Sequence, residues 1–354
     1  MGEGGPGHGV SVSSGPVAEE VAEEVSVREP IAHGGDLDAA RSLFPEAPEP
    51  WIDLSTGINP VPYPCPALEA SAFHRLPSAA DLAGLHRAAA RAYGVADPDR
   101  IVAAPGTQIL IETLPRLRAP GRVAVLGPTY AEHAAAWTRA GHRVATVAEI
   151  GGAAGADVVV IVNPNNPDGR RWTAGTLLAL AGDLAGRGGL LVVDEAFIDL
   201  EPVESLAPAI VPDLVVLRSF GKTYGLAGIR LGFALCDPAL AARLAEALGP
   251  WAVSGPALAI GRTALSDEAW RQDARVARGA DAARLDRMIA RAGGTVVGGT
   301  GLFRTADFPA GAALFERLGA AGIYVRRFAG APGRLRFGLP ADKTEWCRLS
   351  RILR

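Results

Sequence analysis

Five short apolar runs mark the middle of the chain: Val123–Leu126, Val158–Val162, Leu190–Val193, Leu214–Leu217 and Leu231–Leu235. Each has strand length and is apolar at successive positions, the pattern of central strands in a parallel sheet covered on both faces. Helical periodicity alternates with them. Ser78 is placed to cap a helix through Asp81, Leu82, Leu85 and Ala89 that stops at Gly94. Thr173 can open another through Leu177, Leu180 and Leu184, ending near Gly188 and Gly189. Such alternation predicts βαβ units and an α/β fold whose large domain is a doubly wound, mostly parallel sheet. Beyond Trp251 the texture changes. A long arginine-rich helical stretch, Asp267–Ala292, is followed by short strands at Leu302–Arg304, Tyr324–Arg326 and Arg334–Leu339, a smaller α+β domain. The pattern divides the chain into a flexible tail (1–30), a large domain (78–252) and a small domain built from 31–77 and 253–354. No repeat of solenoid length is present.

Composition narrows the classes. The 354 residues are 49% hydrophobic and 21% charged, enough apolar surface for a sizeable core. A formal charge of −3 gives no basic excess for nucleic acid. Cys65, Cys236 and Cys347 are far apart and form no CxxC pair, and the six histidines include no HExxH, so no metal site is expected. No run approaches the roughly 20 apolar residues of a membrane span, and residues 1–30 lack the features of a signal peptide. A cytoplasmic protein is expected. One feature changes the picture more than these totals: 33 of the 35 basic residues are arginine, leaving only Lys222 and Lys343 as side-chain amines.

Lys222 lies in Ser219-Phe-Gly-Lys-Thr-Tyr-Gly-Leu-Ala-Gly-Ile-Arg230, directly after an apolar run. A Walker loop is excluded, because Val216 stands where its first glycine belongs. The spacing suits a Schiff-base lysine instead, with Ser219 and Arg230 placed to grip a phosphate beside an aldehyde. Asp194 ends another apolar strand; it could cap a turn, bind Mg²⁺ or face a cationic ring nitrogen. Asn163-Pro-Asn-Asn166-Pro-Asp-Gly169 must turn tightly, and its amides could point at a ligand. Gly106-Thr107-Gln108 opens a helix and offers backbone N–H groups to an anion. Open α/β sheets bind ligands at the carboxyl ends of their strands, so Thr107, Tyr130, Asn166, Asp194 and Lys222 can share one pocket.

Taken in this order, the Asn-Pro turn, the strand-end Asp and Ser-x-x-Lys-(x)7-Arg resemble the fold-type I pyridoxal-phosphate enzymes of the aspartate aminotransferase superfamily, from about Ile31 to the C terminus. His33-Gly-Gly-Asp, Asp53-Leu-Ser-Thr-Gly-Ile-Asn-Pro60 and Leu335-Arg-Phe-Gly-Leu-Pro340 are similar to the threonine-phosphate decarboxylases of cobalamin biosynthesis, near relatives of the histidinol-phosphate aminotransferases. The resemblance implies pyridoxal 5'-phosphate as cofactor, bonded to Lys222, which then shuttles protons. It implies Asp194 at the ring nitrogen, Asn166 at the ring oxygen and Tyr130 on the ring face. Ser219, Arg230 and the amides of Thr107 and Gln108 would hold the cofactor phosphate. Arg336 would take the substrate carboxylate with Arg334 as fallback, and His33, Gly57, Asn59, Arg326 and Arg327 become further substrate candidates. It also implies a homodimer. Two positions depart from the pattern: Phe197 and Leu76 stand where many relatives have tyrosine.

The bond that breaks on such a cofactor is the one held perpendicular to the ring, an angle no motif states. The resemblance implies decarboxylation of L-threonine O-3-phosphate to (R)-1-amino-2-propanol O-2-phosphate. The alternative is an aminotransferase acting on histidinol phosphate or a related amino acid. A ligand-sensing regulator on the same fold would carry a DNA-binding domain ahead of it, for which the roughly 30-residue tail, poor in Lys and Arg, leaves no room.

Overall fold

Runs of consecutive, largely β-branched apolar residues build the central strands of the structure, a computed structural model that describes Met1, Gly2, Ile31 and residues 33–354. The tail expected over 1–30 lies, Met1 and Gly2 apart, outside these residues. In chain order the described strands are β1 (Ile52–Leu54), β2 (Ile101–Ala104), β3 (Arg122–Leu126), β4 (Arg143–Val147), β5 (Val158–Val162), β6 (Leu190–Asp194), β7 (Leu214–Ser219), β8 (Gly232–Leu235), β9 (Thr295–Thr300), β10 (Phe303–Asp307), β11 (Ile323–Phe328) and β12 (Ala331–Gly338). A seven-stranded sheet has the order β2-β8-β7-β6-β5-β3-β4, and a five-stranded sheet the order β1-β11-β12-β10-β9.

Every residue of β5, β6 and β7 is buried, which follows from helices covering both faces. Val159 and Ile161 join one core with Leu177 and Ala181 of the helix Ala174–Ala185. Val158 and Val160 join the opposite core with Leu110 and Trp137. The helix expected from Ser78 runs over Ala79–Tyr93, with a reciprocal Ser78–Asp81 cap at its start and Gly94 at φ 72° at its end.

Four strands had no legible signal, among them β9, an edge strand of the five-stranded sheet with mostly exposed or half-buried residues. β4 is an edge strand with mostly exposed residues, so it needs no apolar run. β2 is only four residues long, and β1 only three, held by parallel pairing with β11. The helix Gly255–Ser266 packs Ala257, Leu258, Ala264 and Leu265 into the core of the larger sheet, because Gly261 lets it approach Leu85 and Leu231 closely.

Strand direction sets the site. β3, β4, β5, β6 and β7 run parallel, so their carboxyl ends meet at one edge. β8 is antiparallel to β7 and β2, so its amino end reaches that same edge, bringing Arg230 beside the residues that follow β7. Leu217, fully buried in β7, is held between the strands that carry this edge. Leu217→Ala is expected to cost about 2–5 kcal/mol of folding stability, read as a lowered denaturant midpoint.

Candidate active site

Segments leaving the carboxyl edge of the larger sheet enclose a cavity of about 280 Å³ with the loop after β1 and the strand β12. Lys222, Asp194, Asn166, Tyr130, Ser219, Arg230, Thr107 and Gln108 all line it, as do Arg336, His33 and Gly57. Four further candidates do not. Asn59 is buried outside the cavity, with its side-chain amide donating to the Thr223 carbonyl at 2.9 Å. Arg334 lies two residues from Arg336, but it is spent on a bidentate pair with its cross-strand partner Asp307, at 2.7 and 2.8 Å. Arg326 sits directly opposite Arg336 in the β11–β12 register without reaching the cavity lining, and the exposed Arg327 lies over the Phe315 ring.

Lys222 occupies the single helical turn Phe220–Thr223 that follows β7. Its Nζ lies 5.2 Å from the centre of the Phe197 ring. Burial pulls the Lys222 pKa down; the Asp194 charge opposes this, while Arg336 and Arg230 add to it. An amine so placed gives up its proton more readily than an exposed one.

Asp194, at the end of β6, is buried on all sides. Its Oδ1 accepts from the Ala196 N–H at 2.9 Å, and its Oδ2 lies 2.9 Å from His133 Nε2. Burial pushes the Asp194 pKa up, but the His133 bond, the charges of His133 and Lys222 and the Ala196 N–H outweigh it and hold it below the usual carboxylate range. The sequence reading missed His133. It stands in the first turn of the helix Ala131–Arg139, whose N-cap is Tyr130, and the two rings lie 6.1 Å apart.

Tyr130 donates its hydroxyl to Gln108 Oε1 at 3.1 Å, and burial, with Glu132 and Asp194 nearby, pushes its pKa up to about 12. His33 meets Glu132 at 3.0 Å at the cavity rim. Asn166 Oδ1 accepts from Arg336, which leaves the Asn166 NH₂ for the cavity. A second Arg336 nitrogen donates to the Ser55 carbonyl at 2.6 Å, while Nε is buried without an acceptor. Burial, then the facing Arg326, lowers the Arg336 pKa to about 10. The Asp53 charge acts in the opposite sense.

Gly106 has φ 86°, and a Cβ there would come within 2.6 Å of the Arg230 guanidinium. The turn is therefore built for Arg230 to lie against it. Beneath the site, Arg218 donates to Glu195 at 3.2 Å, to Ser205 at 2.9 Å and to Asp199, whose other oxygen takes the Thr223 hydroxyl at 2.8 Å. This buried network ties the residues that follow Asp194 and Lys222. Among the described residues no group of His, Cys, Asp and Glu is arranged to hold a metal ion, and no helix is long and apolar enough to cross a membrane.

A reversed strand in an otherwise parallel sheet, with a buried lysine and aspartate at its carboxyl edge, defines the class: the chain belongs to the aminotransferase class I and II family, whose model matches residues 49–347. Within it, the chain is 45% identical over 330 residues to a threonine-phosphate decarboxylase of Pseudomonas aeruginosa, covering 91% of this chain and 97% of that protein. It is 44% identical to a threonine-phosphate decarboxylase of a Sinorhizobium species, covering 92% and 98%. Among solved structures, histidinol-phosphate aminotransferase from Sinorhizobium meliloti, in complex with pyridoxal-5'-phosphate, matches with TM-score 0.77 at 22% identity, covering 94% of this chain and 97% of that one. L-threonine-O-3-phosphate decarboxylase from Porphyromonas gingivalis matches with TM-score 0.69 at 20% identity, covering 80% and 94%. These two structural likenesses establish the shared fold.

His133→Phe is expected to leave Asp194 buried without its main partner. A carboxyl whose folded pKa is depressed contributes stability above its unfolded value near 4, lost as pH falls through the folded one. The variant should therefore lose about 1–3 kcal/mol at pH 7. Denaturation at neutral and acidic pH should show the gap to the unsubstituted protein closing on the acid side.

Proposed function

We propose that this chain binds pyridoxal phosphate in the cavity and decarboxylates L-threonine O-3-phosphate, releasing CO₂ and leaving (R)-1-amino-2-propanol O-2-phosphate for cobalamin biosynthesis. The observation that carries the reading is the convergence of a buried amine, a buried carboxylate and two guanidinium groups in one cavity of a chain 45% identical to a threonine-phosphate decarboxylase along nearly its whole length. One feature argues that the residues fit the cofactor, and a second that they fit a substrate carboxylate. Gly106 leaves room for Arg230 against the turn that presents the Thr107 and Gln108 amides, a cradle for a phosphate. The Arg336 Nε is a buried donor lacking an acceptor, as a site awaiting a carboxylate would have.

When bound, pyridoxal phosphate supplies an aldehyde for an amine and a protonated ring that withdraws electrons from the breaking bond. Lys222 offers the amine and afterwards a proton-carrying group at Nζ. Asp194, kept ionised by His133, pairs with the ring nitrogen and holds its positive charge. Asn166, oriented by Arg336, turns its NH₂ to the ring oxygen, and Tyr130 covers a ring face. Ser219 and Arg230 hold the phosphate. On the substrate side Arg336 takes the carboxylate, and His33, which also lines the cavity, is placed to hydrogen-bond the substrate phosphate.

The reading extends to a homodimer in the cytoplasm. Leu76 and Trp251, 68% and 58% exposed, line two neighbouring grooves that share Pro77, Ser78 and Leu258, the kind of apolar surface a second copy would cover. The free cysteines suit a reducing compartment.

Purified protein given L-threonine O-3-phosphate should release CO₂ with no 2-oxo acid present. An absolute requirement for such an acceptor would instead support the aminotransferase. Lys222→Ala should abolish turnover, and borohydride should no longer fix the cofactor to the chain. Retained turnover in that variant would remove the lysine from its role. Gly106→Ala should weaken cofactor binding, at least about tenfold if one charged hydrogen bond to Arg230 is lost, measured by fluorescence titration.

A further inference from the structure

We infer that Asn59, oriented by Arg278, is a positioning residue for Lys222. The inference rests on the reading of Lys222 as the amine that joins the cofactor. The turn Phe220–Thr223 is four residues long, too short to be stable by itself. Its carbonyls need donors from outside. Asn59 provides two of them: its backbone N–H donates to the Lys222 carbonyl at 2.9 Å and its Nδ2 to the Thr223 carbonyl at 2.9 Å. One residue, 163 positions before Lys222 in the sequence, thus clamps the two peptide units that flank Thr223, the first of which carries the Lys222 carbonyl.

The direction of the clamp is set by Arg278. An amide can face either way, whereas a guanidinium can only donate. Arg278 lies in the long helix Glu268–Arg291, is 8% exposed, and is held by Asp281 at 2.7 Å. Its other terminal nitrogen donates to Asn59 Oδ1 at 3.1 Å, and the Val61 N–H donates to the same oxygen at 3.1 Å. With Oδ1 so claimed, Nδ2 must face the Thr223 carbonyl. Every polar group of the Asn59 side chain is committed, and none reaches the cavity. The helix of Arg278 continues into the core beneath the five-stranded sheet, where Leu285 and Ile289 pack. The relay thereby references the lysine to a framework separate from the strand that carries it. A displacement of about 1 Å at a reacting group can cost on the order of a hundredfold in rate.

The test uses the full chain with its cofactor bound and the variants Asn59→Asp, Arg278→Ala and Arg278→Lys. Asn59→Asp keeps the acceptor for Arg278 but sets a carboxylate oxygen against the Thr223 carbonyl. With only two lysines, [¹³Cε]lysine labelling gives signals from Lys222 and from the exposed Lys343, which serves as internal reference. Asn59→Asp should lower kcat by about tenfold to a hundredfold with KM within about twofold. It should also move the Lys222 signal and its pH midpoint while Lys343 stays in place. Arg278→Ala should act in the same direction more weakly, and Arg278→Lys should recover part of the loss. Should Asn59→Asp fail to fold, the Arg278 pair decides in the same terms. Variants with kcat within about twofold of the parent and an unmoved Lys222 signal, whatever their Tm, overturn the inference. Turnover lost in Lys222→Ala but untouched by these substitutions refutes the relay alone; turnover kept in Lys222→Ala refutes the underlying reading.

Discussion

Removing an ammonium group from water is costly unless it sheds its proton or meets an opposite charge. Lys222 does both in part. Its burial favours the neutral amine, and the carboxylate of Asp194 limits how far that goes. The balance exists only because Asp194 is itself kept charged, its desolvation outweighed by His133, the Lys222 charge and the Ala196 N–H together. Two desolvated groups of opposite sign are held apart by the architecture, each with its own support. The rest of the site is arranged around the space between them.

The sheet supplies that arrangement. Five parallel strands deliver their carboxyl ends to one edge, and the loops there carry Tyr130, Asn166, Asp194 and Lys222. β12, from the other sheet, closes the cavity with Arg336. Arg336 also links the two sheets chemically, since it holds Asn166 from the loop after β5 and the Ser55 carbonyl from the loop after β1. Family membership and the near full-length identity to threonine-phosphate decarboxylases then give this geometry its chemical sense.

Much of this was legible in the chain because it is local. Runs such as Val158–Val162 are apolar at every position because both faces are covered, and Ser78 with Gly94 brackets a helix through backbone chemistry alone. Asp194 stood out since a charge ending an apolar strand requires a partner, and Lys222 because the chain has only two lysines and Ser219 and Arg230 flank this one at phosphate-gripping spacing. What was not legible depends on contacts between distant segments. Nothing near Arg334 reveals that Asp307 will claim it, and nothing near Asn59 reveals Arg278. Likewise, the burial of the helix Gly255–Ser266 against the larger sheet depends on Gly261 meeting Leu85, a fit that periodicity cannot express.

The reversal of β8 has a mechanical side. β7 and β8 share an antiparallel ladder from Ser219–Gly232 to Val216–Leu235, so Lys222 and Arg230 hang from one closed loop of backbone. Breathing of the sheet between parallel neighbours, each joined by a long crossover, can slide one loop past another. It cannot easily separate two groups on the same loop. The ladder therefore anchors both ends of the loop that carries the amine and the guanidinium.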